Sequence, residues 1–598
     1  MLINFKKIFN RFRRVSYVPF FSILTVLAIT PIGFGQSESD PPFKVKIDFN
    51  RWHDYDELKT DLLRLEEAYP KFLKYSSVGK SHQGRDMMLM TINNPDTGPE
   101  MEKPAMFIEA NVHGNEIQGG EVCLYTIWYL MENYGRIENI TRLVDERVFY
   151  IMPTVNPDGR QYFMAGTGQG SRTGHVPLDD DNDGLYDEDD VDDLNNNGVI
   201  EQIRKYVPGK GTHRISSFDP RILEPAPAGT YGDYVLLGYE GLDNDGDGEV
   251  NEDPPGSYDP NRNYGSGWQP NYVQRGAMDY PFQLPEARAT NDFLLSHPNI
   301  AGFQSYHNSG GMILRGPGVE AAGEYPAADL RVYDELGQNG ERILPFYRYM
   351  ILWRDLYSVW GGSIDWTNDG LGIVSFSNEL WASGQYFTSP DLQKQQEDPL
   401  GPISDRTARY YFNDLLEFGD EFVEWKEFDH PVYGPVEMGG WKKTSRRVPP
   451  RFMNEELCHR NMAFTLYQAD QMPQMKIIES TVESLGDQLF RVRVDIRNQK
   501  LVPTIMAKAA QNNVVSPDIL SFESDTVEIV SAGWVRNKYR PEATMLIDQE
   551  DLQRLMIRNG HPGHTTRTIE YIVRGNGTAE VVYASQKGGI ARTSLEIQ

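Results

Sequence analysis

From Ala105 to about Gln385 short apolar runs alternate with longer runs of helical length, and this alternation constrains the fold more than any other feature of the chain. MFIEANV (106 to 112) gives way to EVCLYTIWYLMENYG (121 to 135), and that to VFYIMPTV (148 to 155). Such an order predicts an α/β fold, a mixed and mostly parallel sheet flanked by helices, with ligands gathered at the carboxyl ends of strands. Beyond about residue 472 the texture changes. In FRVRVDI (490 to 496) the apolar Phe490, Val492, Val494 and Ile496 alternate with Arg491, Arg493 and Asp495, the period of a half-buried strand. TIEYIV (568 to 573) and AEVVYAS (579 to 585) flank Gly575, Asn576 and Gly577, which predicts a hairpin. A chain of 598 residues exceeds what one core serves. Two domains are therefore expected: the α/β domain over 36–471 and an all-β sandwich over 472–598, in the size range of one immunoglobulin-like module.

Charge narrows the function. Acidic side chains number 86 against 58 basic ones, a formal net charge of −28, which repels phosphate backbones and leaves no basic stripe, so nucleic acid is excluded as a partner. The first 35 residues are different: Lys6, Lys7, Arg11, Arg13 and Arg14 precede an apolar stretch from Tyr17 to Phe34, and Gly33 and Gly35 stand where a signal peptidase reads small residues. Residues 1–35 are expected to be an export signal cleaved before Gln36, making the protein secreted, periplasmic or bound at the cell surface. An uncleaved anchor is the alternative, but Pro19 and Pro31 leave less clean apolar chain than the ~20 residues of a comfortable bilayer span. No later segment is apolar for long enough to cross a membrane. Two cysteines, Cys123 and Cys458, are too few for a disulfide framework, and Cys123 lies in an apolar helical run as a core residue would.

Two acidic inserts, within about 175–256, interrupt the α/β pattern and are too polar to pack as core. In the first, Asp179, Asp181, Asp183, Gly184 and Asp187 follow the alternate-oxygen layout of a calcium loop, with glycine at the sharp turn. Asp193, Asn195, Asn197, Gly198 and Glu201 repeat it, and so do Asp243, Asp245, Asp247, Gly248 and Asn251 in the second insert. Alternate residues aim oxygens at one centre, so structural Ca2+ is expected to rigidify these loops; a solvated acidic loop is the alternative. His561 and His564, in HPGH, read as a turn.

At His113-Gly114-Asn115-Glu116 a strand-like run ends and a helix begins, so an imidazole and a carboxylate three residues apart converge at a strand terminus. Zinc accepts such nitrogen and oxygen ligands, and a catalytic site uses three of them with one position left open. Alone, the pair is also what a dipole-favoured Glu in a first helical turn gives beside an ordinary histidine. Further blocks follow in order: NPDG (156 to 159), NRN (261 to 263), FQSYHNSGG (303 to 311), YSVWGGSIDW (357 to 366) and FSNEL (376 to 380). With His113 and Glu116, these resemble the zinc metallocarboxypeptidases, the pancreatic carboxypeptidase-like family, over roughly residues 45 to 465. The likeness is to a secreted, bacterial-type member with calcium-loop inserts and a β domain.

The resemblance implies one catalytic Zn2+ held by His113, Glu116 and His307, with Glu379 as catalytic base. Zinc acidifies its water and polarises the scissile carbonyl, while a carboxylate takes the water's proton and passes it to the departing amine. Asn261 and Arg262 match the residues that hold the substrate's terminal carboxylate, and the planar guanidinium suits a bidentate grip. Tyr357 matches the family's mobile tyrosine. For the arginine that stabilises the oxyanion, Arg172 is the better match, Arg160 standing too close to the NPDG turn. The implied substrates are the C-termini of peptides or proteins.

Asn115 stands where digestive members carry arginine and looks like the regulatory branch. Ile364 resembles the floor of the specificity pocket; an apolar side chain there disfavours a charged terminal residue and favours an apolar or aromatic one, unless Asp365 points inward. Two other functions fit the same residues: a zinc amidohydrolase acting on cell-wall stem peptides or acylated amino acids, and a catalytically silent secreted binding protein. The second is opposed by retention of every ligand and the glutamate.

Overall fold

The computed structural model describes residues 42–166, 172–180, 182–217, 219–382, 406–537, 540 and 544–598. The expected export signal and Asp181 lie outside them. Strand Ala105–Ala110 shows what organises the rest. All of it is buried, yet Met106, Ile108 and Ala110 join one core with Val122, Leu124 and Ile127, while Ala105 and Phe107 join another with Ile300 and Phe303. A strand apolar on both faces must lie inside a sheet covered on both sides.

That sheet has eight strands among the described residues, in the order Leu73–Lys80, Asp86–Ile92, Val148–Met152, Ala105–Ala110, Ile300–Asn308, Val374–Leu380, Met312–Arg315 and Arg348–Ile351. The four inner strands, Val148–Met152 to Val374–Leu380, run parallel to one another. Antiparallel pairings occur on either side of them, so the sheet is mixed, as the alternation predicts. Helix Gln118–Asn133 is buried around most of its circumference, because it packs between the sheet and helix Arg451–Gln471 in the core that also takes Cys123 and Cys458. Helix Tyr55–Ala68 covers the same face, started by an Asp54 and Glu57 capping box. Helix Pro285–Ser296 covers the opposite face through Leu294.

The chain between the two acidic inserts forms strands that the sequence reading does not anticipate. A six-stranded antiparallel sheet joins insert strands Gln202–Gly211, His213–Ile215, Leu223–Pro225 and Gly232–Tyr239 to the later hairpin Phe422–His430 and Gly434–Trp441. Its small core includes Ile203, Val436 and Met438.

In the C-terminal region two antiparallel sheets, of five and four strands, face each other. Phe490, Val492, Val494 and Ile496 point into the shared core with Leu520, Phe522, Tyr571 and Val581, each such side chain contributing about 1.5–3 kcal/mol of burial. The predicted hairpin around Gly575 is not formed. Thr566–Arg574 pairs with Leu489–Asn498 and Glu528–Val535, whereas Gly577–Ser585 pairs with Asp518–Glu523 and Gly589–Ile597 in the other sheet. Gly575 and Gly577, at φ 108° and 141°, carry the chain across from one sheet to the other. A Cβ on Gly575 would stand 2.4 Å from the Thr526 carbonyl, so the link passes close against the turn that precedes strand Glu528–Val535. His561 and His564 do form a turn, each ring bonded to a backbone carbonyl. The two regions are tied together: Lys587 Nζ donates to the Ile300 carbonyl at 2.7 Å, and the Asp329 carboxylate accepts from Ala507 N and Lys508 N, both at 2.8 Å.

Candidate metal centre

Parallel neighbours bring their carboxyl ends to one edge of the sheet. His307 and Glu379 are directly opposed in register, and Ala110 lies opposite Tyr306, so the chain leaving Ala110 emerges beside them. Asn111 then takes a left-handed turn, φ 56°, and its amide donates to the carbonyls of His113 and Gly114 at 2.6 and 3.1 Å. This turn brings His113 back over the strand ends. Only glycine fits next: a Cβ on Gly114 would come within 2.5 Å of the Gly159 backbone, and one on Gly159 within 2.5 Å of the Thr173 carbonyl. The NPDG block is thus a helix start, Asn156 capping Pro157–Met164 by accepting from Gly159 N at 2.8 Å, and it is a spacer between two site segments. Gly114 N donates to the Arg172 carbonyl at 3.1 Å, completing the stack. Gly159→Ala is expected to lower stability by about 1–3 kcal/mol and to cut kcat/KM more than tenfold; wild-type denaturation and kinetics in this variant would contradict the close stacking.

Within this frame His113 Nδ1 and His307 Nδ1 lie 3.0 and 2.9 Å from Glu116 Oε2, and 3.2 Å from each other. All three side chains are buried, and their ligand-bearing atoms lie within 4.8 Å of one another. The opposite ring nitrogens are backed: His113 Nε2 meets Asp259 Oδ1 at 2.9 Å, and His307 Nε2 meets Ser305 Oγ at 3.1 Å. Ser305 in turn donates to the buried Glu109 at 3.0 Å. His113 Nε2 also lies 3.0 Å from Arg172 Nη2; a proton on Nε2 given to Asp259 would leave the Nδ1 lone pair facing inward, the contact found behind metal-binding histidines. Two imidazole nitrogens and one carboxylate are the donor set that zinc takes with a position to spare.

Electrostatics follow from the crowding. Burial alone would push Glu116 up, but His113 and Arg172 outweigh it and hold the carboxyl well below its ordinary range. Burial likewise opposes the charge on Arg172, and Glu116, Asp259 and Glu379 more than restore it. Asp259, against burial, is held low by Arg262 and His113. Glu379 moves the other way, raised to about 7 by burial and by the negative charge of Glu116.

Arg172 Nη1 reaches Glu116 Oε1 at 3.0 Å. Arg160 does not approach the site; it is fully buried, donating to the His53 and Ile117 carbonyls and paired with Glu121 at 2.9 Å. Asn261 and Arg262 sit on the short turn Pro260–Arg262, capped by Asp259. Asn261 Oδ1 accepts from Ser363 N at 2.9 Å, tying that turn to the segment that carries Ile364. One cavity is lined by His113, Arg172, Asn261, Arg262, His307, Tyr357, Ile364 and Glu379. Tyr357 is half exposed, and Ile364 shares an apolar wall with Leu314, Leu352 and Val359. Asp365 faces elsewhere, accepting from Gly318 N at 2.9 and 3.1 Å. Sequence reading missed Asp259, Ser305 and Arg447, whose Nη1 lies 3.8 Å from Glu116 Oε1. Ser305 was discoverable, since a residue two before His307 on a strand shares its face; Asp259, two before Asn261, carried a weaker signal and Arg447 none.

The aspartate loops share one backbone design. Asp179 accepts from Asn182 N and Gly184 N, Asp193 from Asn197 N and Gly198 N, and Asp243 from Gly246 N and Gly248 N. Gly184, Gly198 and Gly248 all take positive φ, at 98°, 80° and 102°. Asp243, Asp245 and Asp247 form one carboxylate cluster, and Asp183 and Asp245 form another with Glu188, which bridges the two inserts. Asp187 is turned to the Leu178 amide, and Asn195 and Asn197 donate to Glu201.

Residues 59–193 and 238–398 match the family described as zinc carboxypeptidase, and residues 474–596 match a domain of unknown function. The chain is similar to carboxypeptidase D of Drosophila melanogaster, 32% identical over 146 residues, 23% of this chain and 10% of the relative. It is also similar to a zinc carboxypeptidase of Saccharothrix mutabilis subsp. capreolus, 34% identical over 117 residues, 20% of this chain and 27% of the relative. The chain thus spans about a tenth to a quarter of the length of these curated relatives. Among solved structures it resembles thrombin activatable fibrinolysis inhibitor, with TM-score 0.43 and 17% identity over 72% of this chain and 79% of that one. Carboxypeptidase A from Helicoverpa armigera gives TM-score 0.38 and 18% identity over 61% and 71%.

Proposed function

We propose, because the chain belongs to the zinc carboxypeptidase family through residues 59–193 and 238–398, that it removes single amino acids from the free C-termini of peptides or proteins. The observation that supports this reading is the shared cavity: Asn261 and Arg262 stand in the same space as His113, His307 and Glu379. A guanidinium and an amide in one cavity bind a carboxylate, and a chain held by its own terminus presents only its last peptide bond. Bound zinc would polarise that carbonyl and acidify a water. Glu379 accepts the water's proton and returns it to the amine as the C–N bond breaks. Arg172 stabilises negative charge developing on the carbonyl oxygen, and Tyr357, half exposed at the cavity, closes over the terminal residue. The apolar wall around Ile364 favours an apolar or aromatic residue there, and Asp365 does not oppose it because it caps Gly318. A series of peptides differing only in the last residue tests this. Stepwise release of single residues, fastest for Phe and Leu, is expected; internal cleavage would overturn it.

The basic and apolar segment before Gln36 supports export, and no helix among the described residues is long and apolar enough to cross a membrane. The aspartate loops support structural calcium: Asp243, Asp245 and Asp247 crowd together, as do Asp183, Glu188 and Asp245, and Glu188 and Glu252 are raised to about 7 and 8, Glu188 chiefly by desolvation and Glu252 chiefly by its contact with Asp189. A cation would relieve that crowding. Saturating Ca2+ is expected to raise the unfolding temperature of the chelated protein by several degrees, as ligand at about 100 times its Kd stabilises by ~2.7 kcal/mol. A calorimetric titration without binding heat would count against it.

A further inference from the structure

A second cavity, of about 830 Å³, begins at Asn115 and Ser309, sequence neighbours of the ligands Glu116 and His307, and shares no lining residue with the cavity that holds Arg262. Its other walls come from Tyr162 and Phe163, from the insert, at Leu237 to Tyr239 and Pro254, and from chain beyond residue 406, of which only the last lies wholly outside the stretch that matches the family. A peptide anchored by its terminus at Arg262, with its last bond at the metal ligands, has to send its amino-terminal side elsewhere along those ligands. This cavity borders them.

Its charge is opposite to that of the chain. Arg409, Lys442, Lys443 and Arg447 line it, against one acidic side chain, Asp190, in a protein of net charge −28. The cations are held in place: the Arg409 guanidinium stacks on the Trp441 ring at 3.6 Å, Arg447 donates to the Asn308 carbonyl at 3.0 Å, and Lys443 to the Phe163 and Gly166 carbonyls at 2.6 and 2.7 Å. Lys442 pairs with the exposed Asp420 at 3.1 Å. Burial lowers Lys443 to about 8, so Arg409 and Arg447 are the firmest charges, and fixed cations in a concave wall raise the local concentration of anions.

The geometry points to a subsite for the amino-terminal side of the substrate that selects acidic residues; this rests on the carboxypeptidase reading above. The favoured substrates are peptides with Asp or Glu a few positions before the bond that is cut.

The test uses the full-length, zinc-loaded protein and peptides with identical last two residues but Glu, Ala or Lys at the three positions before them. The Glu peptide is expected to exceed the Lys peptide in kcat/KM by about tenfold at low ionic strength, the gap closing near 0.5 M salt, where screening is short-ranged (~4 Å). In Arg409→Met, and separately in the surface variant Lys442→Met, the Glu-to-Lys ratio is expected to fall toward one. Equal rates for all three peptides in the wild type, or an undiminished ratio in both variants, would overturn the subsite alone. Failure to release a terminal residue from any peptide would overturn the carboxypeptidase reading with it.

Discussion

Glu379→Gln is expected to lower kcat by about 10²–10⁴-fold, the range that a positioned general base supplies, while zinc stays bound. The amide is nearly isosteric and the strand pairing that places it, Glu379 opposite His307, uses backbone groups, so the fold is retained. What is lost is a group that accepts a proton and later donates it. Glu379 contributes no atom to the His113, Glu116 and His307 cluster, which is why metal content and turnover separate in this variant. Kinetics on a peptide with a free terminus, beside metal analysis of the same sample, would check it; activity above a tenth of wild type would remove Glu379 from the mechanism.

The second large effect belongs to Arg262. Removing one partner of a buried, hydrogen-bonded charge pair costs about 2–5 kcal/mol, so Arg262→Met is expected to reduce kcat/KM for free-terminus peptides by about 10²–10³-fold. Its guanidinium is nearly buried and is held against the Asn261 carbonyl at 2.8 Å, so little of that loss can be recovered by solvent. The discriminating comparison is with C-terminally amidated peptides. Wild type should reject them strongly, and the variant should treat the two forms almost alike. A variant that still prefers the free acid by a large factor would move carboxylate recognition to another residue.

How much of this was legible beforehand depends on where each residue sits. His113, Glu116, His307 and Glu379 are chemical side chains at element boundaries, and their blocks fall in an order that carries its own meaning. The alternating FRVRVDI strand was legible for a similar reason: its period is local. Pairing across distance was not. The Gln202–Gly211 strand finds its partner at Gly434–Trp441, and no local pattern names a partner more than two hundred residues away. The glycine link at 575 to 577 has the composition of a hairpin turn, and only the distant partners of its two flanking strands turn it into a crossover between sheets. The same holds within the site: the Arg172 and Arg160 alternatives are separated by packing, since Arg160 meets Glu121 in the core. The three aspartate loops were legible in their turn geometry, whereas Glu188, which joins carboxylates from both inserts, follows from tertiary folding alone.

In the function proposed above, the sheet edge at His113, Glu116 and His307 binds a zinc ion on which exopeptidase activity depends. That dependence is tested most directly by stripping the full-length protein with a chelator and titrating zinc back while recording bound metal and release of a single terminal residue together. One equivalent of zinc should bind with activity rising in proportion, and His307→Ala should bind none at that site and stay inactive. Single-residue release that persists in the stripped protein, or zinc binding undiminished in His307→Ala, would contradict the account.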